Sequence, residues 1–408
     1  MIPRHSKALL DKLLTHFPCV AVTGVRQCGK TTLLSTFPEK WQRFDMEDGS
    51  DRDQVLADPD QFLRLHPKHV IIDEAQLAPA LFPALRVAID RQRQTKGRFI
   101  LSGSSSPDLV KHISESLAGR VAYMELSPLS LSEAWQLAPS PIYSLISAHT
   151  SPAELLNTIK PRLDIRQVWQ YWFSGGYPEL WTNSDPEFSR LWQRNYIDTY
   201  LMRDISILFP NMNRDRYRQF ILLLAQASGT IMNNAEFARI LGISEPTVRD
   251  WIQIAHGTFI WRHIPAWDRS LQKQLVKHPK GILRDSGLLH RLLHIEDVNL
   301  LTAHPLAGRS WEGMIIEILL RGFADFGLSV QPFHYRTRGG AEIDLILESD
   351  FGLLPIEIKL TSIPDKRKLR ALSEFILRHQ CPLGIVITGD KQARQLTEKI
   401  IAIPATAL

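Results

Sequence analysis

Eight consecutive residues, Gly24 to Thr31, have the types and the spacing of a phosphate-binding loop, G-x-x-x-x-G-K-[ST]. Glycines at both ends of such a loop allow successive backbone N–H groups to point inward at an anion. Lys30 can reach the β- and γ-phosphates, and the Thr31 hydroxyl can ligate Mg²⁺. The pattern therefore predicts binding of ATP and Mg²⁺ by Gly24, Val25, Arg26, Gln27, Cys28, Gly29, Lys30, Thr31 and Thr32.

The residues on either side of this loop have the character of the elements that must hold it. Cys19 to Thr23 is a short, apolar, β-prone run, which predicts a strand before the loop. Thr31 to Phe37 predicts the start of a helix, whose N-terminus favours phosphate. Because the motif binds nucleotides in the order strand, loop and helix, we expect a nucleotide site here.

Two adjacent carboxylates could supply further chemistry of phosphoryl transfer. Asp73 and Glu74 end an apolar run that starts at His69. Asp73 can hold Mg²⁺ through water, and Glu74 can polarise the attacking water molecule. The alternative is a buried strand that ends in a solvated turn, but the position of the pair behind the phosphate-binding loop favours the catalytic interpretation.

Two more residues are candidates for contact with the terminal phosphate. The apolar run from Arg98 to Ser102 leads to Ser104, at a strand end where ligands bind in open α/β sheets. This position resembles that of the residue that senses the γ-phosphate in AAA-type ATPases, and Ser105 or a plain turn are the alternatives. Arg120 could direct its charge to the γ-phosphate, within the subunit or across a boundary in a homo-oligomer, or it could form a surface ion pair. The predicted catalytic residues of this site are Lys30, Glu74, Ser104 and Arg120.

A second cluster of charged residues is predicted near the end of the sequence. Asp344 lies in one apolar run, and Glu357 and Lys359 lie on one face of the next. Glu312, on a predicted helix upstream, could complete a divalent-metal site with Asp344 and Glu357. Lys359 could position or activate water there, which suits hydrolysis of a phosphodiester. The alternative is a buried Glu357–Lys359 ion pair with Asp344 at a turn, although burying these charges without a metal is costly.

The segment between the two sites predicts a helix-turn-helix. Asn234 is a candidate N-cap, Gly242 can end the first helix in a left-handed conformation, and Ser244 can cap the second. Two strand-like runs, 259–261 and 264–267, could form a wing. A winged helix contacts either DNA or protein, and the second helix here is not strongly basic, so both partners stay open.

Length and composition restrict the class of protein. A chain of 408 residues, 44% hydrophobic and 22% charged, is globular and has two or three domains. The formal charge of +5 permits contact with nucleic acid without requiring it. The three cysteines form no C-x-x-C pair, so we expect neither a zinc site nor a disulfide framework. Because the sequence has no apolar run of membrane-spanning length and no secretory signal, we expect a cytoplasmic protein.

Two resemblances extend these expectations. The Asp344…Glu357-x-Lys359 arrangement resembles the PD-(D/E)xK core of restriction endonucleases. Over nearly its whole length the chain resembles a widespread prokaryotic family of predicted AAA-superfamily ATPases, which have an N-terminal P-loop domain and a C-terminal domain of unknown function. The matching segments are 24–31, 72–76, 101–105, 117–120, 127–130, 175–178, 200–205 and 342–359. The departures are Val25, where proline is usual, and the sequence 284–287, a variant of an Asp-Thr-Gly turn.

These patterns together predict an α/β fold class. A P-loop AAA-type parallel sheet with helices is expected to precede a winged-helix segment and a smaller α/β domain with a restriction-endonuclease-like core. The predicted boundaries are 1–150 for the ATPase domain, 151–225 for a helical connector, 226–295 for the winged helix-turn-helix and 296–408 for the nuclease-like domain.

Two functions fit this organisation. The favoured one is an ATPase whose nucleotide state repositions the winged-helix and nuclease-like modules on DNA or RNA. The alternative is a nucleotide-dependent switch or scaffold that binds a protein partner and carries an inactive nuclease-like domain. A nuclease regulated by bound ATP without appreciable hydrolysis is disfavoured, because Glu74 is present.

Overall fold

A computed structural model of the protein describes residues 1–104, 116–183, 185–205, 212–267, 278–337, 341–361 and 366–408. The side chains of Ser104 and of residues 202–204 and 366–368 lie outside this description. The chain divides into two compact units, an N-terminal unit of residues 1–129 with 257–259 and a C-terminal unit of residues 130–256 with 260–408. The four-part division expected from the sequence remains a prediction.

The N-terminal unit contains a parallel sheet of five strands in the order β2-β3-β4-β1-β5. The strands are β1 (Cys19–Gly24), β2 (Gln42–Asp45), β3 (Val70–Asp73), β4 (Phe99–Ser104) and β5 (Val121–Glu125). All six residues of β1 are buried, as expected for an inner strand of a parallel sheet. The predicted α/β fold class, with its parallel sheet, is therefore confirmed.

Helices cover this sheet and bring its apolar side chains into one core. They are α1 (Ser6–His16), α2 (Lys30–Leu34), α3 (Gly49–Ala57), α4 (Pro59–Leu65) and α5 (Leu81–Arg91), with a 3₁₀ turn at Ala75–Leu77. Phe62 of α4 and Phe82 of α5 belong to the same buried cluster as Ile72 of β3 and Leu101 of β4. This packing fixes the carboxyl ends of β3 and β4, where the polar residues Asp73 and Ser102 lie.

The C-terminal unit begins with a run of helices. They are α6 (Leu131–Ala134), α7 (Ile142–Ser147), α8 (Pro152–Thr158), α9 (Ile165–Ser174), α10 (Glu179–Thr182), α11 (Pro186–Tyr196), a π-helical stretch (Ile197–Asp204) and α12 (Arg214–Ala227). Asp164 and Gln167 form a capping box at the start of α9, and Gly175 follows its end with φ of +78°. Within the described part of the chain, none of the helices has the length and apolarity needed to cross a membrane.

Two helices joined by a tight turn follow, as the sequence predicted. They are α13 (Asn234–Leu241) and α14 (Glu245–Gly257). Gly242 ends α13 with φ of +61°, and the Ser244 hydroxyl accepts a hydrogen bond from the Thr247 N–H. The predicted cap is wrong by one residue, because the side chain of Asn233, not that of Asn234, accepts a hydrogen bond from the Glu236 N–H.

A small antiparallel sheet in the order β6-β8-β7 accompanies these helices. Its strands are β6 (Thr230–Ile231), β7 (Trp261–Ile264) and β8 (Lys280–Leu283). The prediction of two wing strands at 259–261 and 264–267 is wrong, because a single strand spans 261–264 and pairs with β8. Pro265 ends that strand, since it has no N–H for the ladder, and Ala266 makes an isolated bridge to His334.

The end of the chain forms a mixed sheet of six strands in the order β13-β14-β12-β11-β10-β9. Its strands are β9 (Gln331–Arg336), β10 (Glu342–Ser349), β11 (Gly352–Ile358), β12 (Gly384–Thr388), β13 (Arg394–Gln395) and β14 (Ile400–Pro404). The accompanying helices are α15 (Ser286–Leu292), α16 (Val298–Ala303), α17 (Ala307–Asp325) and α18 (Lys366–His379), with a 3₁₀ turn at Ala405–Ala407. Helix α18 makes the crossover that the parallel pair β11–β12 requires.

A buried ion network joins α17 to the three-stranded sheet. Glu317 of α17 pairs with Arg262 of β7, with Arg284 after β8 and with Arg321 one turn further along α17. Burial alone would raise the pKa of Glu317, but the three guanidinium groups lower this pKa to about 2. Glu317 is therefore a fixed anion that holds the sheet against α17.

Candidate functional site

The phosphate-binding loop leaves β1 at a point where only glycine fits. A Cβ atom at Gly24 would lie 2.1 Å from the carbonyl oxygen of Leu126. Gly29, immediately before α2, has φ of +96°, and Gln27 has φ of +62°, which is uncommon for a residue with a side chain. The glycines of the motif thus meet two different needs, a close backbone approach and a left-handed turn.

Lys30 turns back over this loop. Its side chain is buried, and Nζ donates hydrogen bonds to the carbonyl oxygens of Gly24, at 3.1 Å, and Val25, at 3.2 Å. Both of these acceptors are neutral oxygens, so they leave the positive charge of the ammonium group available to an anion in the loop. Contact of Lys30 with the β- and γ-phosphates stays a prediction.

Arg4 also holds the loop, which sequence reasoning missed. Its guanidinium donates to the carbonyl oxygen of Cys28 at 2.7 Å and to that of Ser127 at 2.6 Å. Both acceptors are backbone atoms, and Arg4 precedes α1, far from the motif in sequence. No sequence pattern signals such a contact.

Asp73 is the hydrogen-bonding centre of the site. The Thr31 hydroxyl donates to Asp73 Oδ2 at 2.8 Å, and the Ser102 hydroxyl donates to Asp73 Oδ1 at 2.5 Å. These bonds orient the carboxylate from two sides. Oxygen donors of this kind suit Mg²⁺, so Thr31 and Asp73 fit the metal expected with ATP.

Ser102 is a second residue that sequence reasoning missed. The β3–β4 register pairs Ile72 with Leu101, which sets Ser102 beside Asp73. The sequence feature that could have identified Ser102 is its hydroxyl group, which follows the buried apolar residues of β4 two positions before the favoured Ser104. Only the strand register shows which of the two positions faces Asp73.

Glu74 lies at the end of β3 in a left-handed conformation, with φ of +48°. Its N–H donates to Asp73 Oδ1 at 3.1 Å, and the Gln76 amide donates to Glu74 Oε2 at 2.5 Å. A residue other than glycine or asparagine is strained in this region, and such strain is often found at functional sites. Gln76 holds the carboxylate in one orientation beside Asp73.

The remaining predicted residues of this site are placed as follows. Arg26, Gln27 and Thr32 are exposed, and Cys28 is buried. Ser104 is paired with Gly24 across β1 and β4, but its side chain and the alternative, Ser105, lie outside the described residues.

Arg120 forms a bidentate ion pair in the described structure. Its Nε and Nη2 contact the two Asp90 carboxylate oxygens at 2.7 and 2.8 Å, and Nη1 donates to the Ala118 carbonyl oxygen at 3.0 Å. This is the surface ion pair weighed against nucleotide contact. The role of Arg120 at the γ-phosphate stays a prediction.

In the C-terminal unit, Asp344, Glu357 and Lys359 lie together. Asp344 Oδ2 accepts the Ile358 N–H at 2.9 Å and lies 3.4 Å from Lys359 Nζ. The same ammonium is 2.6 Å from Glu357 Oε1, and both carboxylates are buried. The antiparallel β10–β11 pair brings Asp344 beside the other two, as the alternation of residues predicted.

Glu312 of α17 contacts Lys280 of β8, a residue that sequence reasoning missed, and the charge of Asp344 acts on both. Lys280 Nζ makes an ion pair with Glu312 Oε1, and the Lys280 side chain is only 5% exposed. Burial, followed by the charge of Asp344, raises the pKa of Glu312 to about 7, although Lys280 opposes this shift. We call Glu312, Asp344, Glu357, Lys280 and Lys359 the carboxylate–lysine cluster.

The donor chemistry of this cluster suits a divalent metal, but its present contacts do not. Carboxylate oxygens are the ligands that Mg²⁺ prefers. Here Lys359 contacts both Asp344 and Glu357, and Lys280 contacts Glu312. Each predicted metal ligand of this unit thus already has an ammonium partner.

Comparison with known families divides the chain into three matched regions. Residues 16–135 match the model of an AAA domain. Residues 165–299 match "Domain of unknown function (DUF8612)", and residues 307–408 match "Domain of unknown function (DUF4143)". The AAA-type domain and the uncharacterised C-terminal domain expected from the resemblance are both confirmed.

Among solved structures, the chain is similar to the Walker-type ATPase PABY2304 of Pyrococcus abyssi. The TM-score is 0.46 and the identity 15%, over 72% of this chain and 96% of that one. A second similarity is to the RuvB Holliday junction branch migration motor of Thermotoga maritima, with a TM-score of 0.28 and 14% identity, over 64% of this chain and 89% of that one.

Two mycobacterial proteins match almost the whole chain. They are "Uncharacterized protein Mb2031c" of Mycobacterium bovis and "Uncharacterized protein Rv2008c" of Mycobacterium tuberculosis. Each is 34% identical over 405 residues, which covers 98% of this chain and 83% of the relative. The chain therefore belongs to the family of these two proteins, and its N-terminal region is an AAA domain with a complete phosphate-binding loop.

Proposed function

We propose that the protein is a Mg²⁺-dependent ATPase whose nucleotide state controls the modules of its C-terminal unit on nucleic acid. The observation that carries the ATPase assignment is the set of hydrogen bonds from Thr31, Ser102 and the Glu74 N–H to Asp73. These bonds place two hard oxygen ligands and a second carboxylate next to a phosphate-binding loop.

Each residue then has a task in hydrolysis. The loop N–H groups and Lys30 bind the phosphates, and Thr31 and Asp73 would hold Mg²⁺, which neutralises phosphate charge when bound. Gln76 fixes the Glu74 carboxylate, so that Glu74 can accept a hydrogen bond from the attacking water. Ser104 and Arg120 are proposed to sense and stabilise the γ-phosphate.

Two features support action on nucleic acid. The turn between α13 and α14, together with the sheet β6-β8-β7, has the parts of a winged helix. Asp344 on β10, Glu357 on β11 and Lys359 immediately after β11 lie together, which supports a restriction-endonuclease-like core. Metal ligands Glu312, Asp344 and Glu357, with Lys359 at the water, are the proposed nuclease site.

A second candidate function is a nucleotide-dependent switch that binds a protein partner and cuts nothing. The observation that favours it is the contact of every carboxylate in the carboxylate–lysine cluster with an ammonium group. Such a cluster can serve as a structural ion network, because a nuclease-like fold does not fix a nuclease function.

ATP hydrolysis by the purified full-length protein, with and without DNA or RNA, tests the ATPase proposal. We expect hydrolysis that depends on Mg²⁺ and disappears in Lys30→Ala. Normal hydrolysis by Lys30→Ala would show that the loop assignment is wrong. Stimulation by nucleic acid would favour the first function, and hydrolysis indifferent to nucleic acid would favour the protein-partner switch.

A cleavage assay separates the two candidates further. The first function predicts metal-dependent cleavage of DNA or RNA that disappears in both Asp344→Ala and Lys359→Ala. Cleavage that survives either change would come from a contaminant.

A further inference from the structure

The least expected member of the carboxylate–lysine cluster is Lys280. It is contributed by β8, the middle strand of the three-stranded sheet, where it pairs with Ile231 of β6 and Ile264 of β7. Its side chain leaves this sheet and contacts Glu312 on α17. A residue of one sheet therefore completes a charged cluster that is otherwise built on α17 and the six-stranded sheet.

Lys280 is a buried cation among carboxylates. Its side chain is 5% exposed, and its ammonium group contacts the Glu312 carboxylate. Because a buried charge is tolerated only with a partner, the Lys280–Glu312 pair is part of the packed structure.

The position of this cation matters for metal binding. Lys280 Nζ contacts Glu312 Oε1, which is one of the two oxygens with which Glu312 could ligate a divalent ion. Lys359 already contacts Asp344 and Glu357. Two ammonium groups thus offset most of the negative charge that would draw Mg²⁺ into the cluster.

The sheet that carries Lys280 is fixed to α17 by further ion pairs. Arg262 on β7 and Arg284 beyond β8 both contact Glu317, which lies on the same helix as Glu312. Withdrawing Lys280 from Glu312 therefore requires this sheet to move along α17.

We propose that Lys280 is a built-in counter-ion that takes the place of a divalent cation beside Glu312, so that the cluster binds metal only when Lys280 is withdrawn. This proposal rests on the nuclease-like site of the proposed function. It makes β8 the element through which that site is opened or kept closed.

Binding of Mn²⁺ to the full-length protein, without nucleotide or nucleic acid, tests the proposal. Free Mn²⁺ is measured by electron paramagnetic resonance for the wild type, Lys280→Arg, Lys280→Gln, Asp344→Asn and Lys280→Gln/Asp344→Asn. The glutamine side chain retains an N–H donor for Glu312 while removing the charge. Exposed Lys391, changed to Gln, is the matched control.

We expect the wild type, Lys280→Arg and Lys391→Gln to bind Mn²⁺ equally weakly. Lys280→Gln should bind one additional ion about tenfold more tightly or better, and the added Asp344→Asn should remove that ion. Wild-type binding that Asp344→Asn abolishes would overturn the proposal, as would a folded Lys280→Gln that gains no ion.

Folding of each variant is checked by near-ultraviolet circular dichroism. Should Lys280→Gln fail to fold, the same signal is followed as Mn²⁺ is added, because an ion that takes the place of Lys280 should restore folding. Restoration that the added Asp344→Asn prevents supports the proposal, and its absence contradicts it. A gain of Mn²⁺ without cleavage would refute the nuclease function alone, because metal binding is measured independently of any substrate.

Discussion

Lys30 in the N-terminal unit and Lys280 in the C-terminal unit are both buried lysines, but their ammonium groups meet different oxygens. Lys30 contacts the neutral carbonyl oxygens of Gly24 and Val25. Lys280 contacts the carboxylate of Glu312. The first arrangement leaves a positive charge that an anionic ligand can use, and the second neutralises the charge within the protein. A buried charged group therefore indicates a ligand site when its protein partners are neutral, and not when they already balance its charge.

The largest effect that sharpens this comparison is expected from Glu74→Gln. Hydrolysis of ATP should fall by about 10²–10⁴-fold, because the amide cannot act as a base toward water. Binding of ATP should persist, since Glu74 is not a phosphate-binding group. Turnover is measured by phosphate release and binding by a fluorescent ATP analogue. Loss of binding together with turnover would place Glu74 in the binding site instead.

The second largest effect is expected from removing a lysine that pairs with carboxylates. Lys359→Met should lower the free energy of unfolding of the C-terminal unit by about 3–5 kcal/mol, because it leaves Asp344 and Glu357 buried without their ammonium partner. Lys30→Met should change the stability of the nucleotide-free protein far less, since its partners are neutral. Urea unfolding measures both, with exposed Lys391→Met as control. Equal losses of unfolding free energy in Lys30→Met and Lys359→Met would contradict the proposed difference between the two lysines.

Acid should act on the C-terminal unit through three histidines, of which His290 and His334 are buried and His263 is half-buried. Burial lowers the pKa of His263, His290 and His334 to about 4 each. The native state therefore favours the neutral rings, and the stability they contribute is present above pH 6.5 and lost as the pH falls toward 4. Each contributes about 3 kcal/mol at most. Urea unfolding at pH 7, 5.5 and 4.5 checks this.

His290→Gln is the informative variant in the acid series, because His290 Nε2 is only 2.6 Å from the Ser310 hydroxyl. It should be less stable than the wild type at pH 7 but should lose less stability between pH 6.5 and 4. A variant with the full acid sensitivity of the wild type would contradict the assignment. Exposed His16 provides the matched His→Gln control.

The smallest effect concerns the two serines of β4. Ser102→Ala should lower ATP hydrolysis about tenfold, because Ser102 orients Asp73 without contacting the phosphates. The same assay on Ser104→Ala shows whether Ser104 acts at the γ-phosphate. Half-maximal hydrolysis by Ser102→Ala at a lower Mg²⁺ concentration than in the wild type would refute the role of Ser102 in orienting Asp73 for the metal.

The phosphate-binding loop could be predicted because its chemistry is contiguous. Gly24, Lys30 and Thr31 lie in one octet, and their identities follow from the backbone conformation and the ligand. Asp73 and Glu74 were predictable as a pair, because an apolar strand ends there. Ser102 was not, since its contact with Asp73 depends on the β3–β4 register, which the sequence leaves undetermined.

The C-terminal cluster was predictable only in part, for a related reason. Asp344, Glu357 and Lys359 follow from strand alternation within one hairpin. Lys280 comes from a different sheet, and no local pattern distinguishes it from an ordinary surface lysine. The misplaced wing strands have a simpler cause, because the β-prone residues on both sides of Pro265 conceal that proline interrupts the ladder.

The buried thiol of Cys28 can report on motion of the phosphate-binding loop. A thiol reagent reaches Cys28 only when the backbone around Gly24 and Arg4 opens, so the rate of labelling measures how often that opening occurs. Occupation of the loop by a nucleotide would slow this reaction. Labelling of Cys28 therefore measures the opening of the loop without attaching a probe that would disturb the loop.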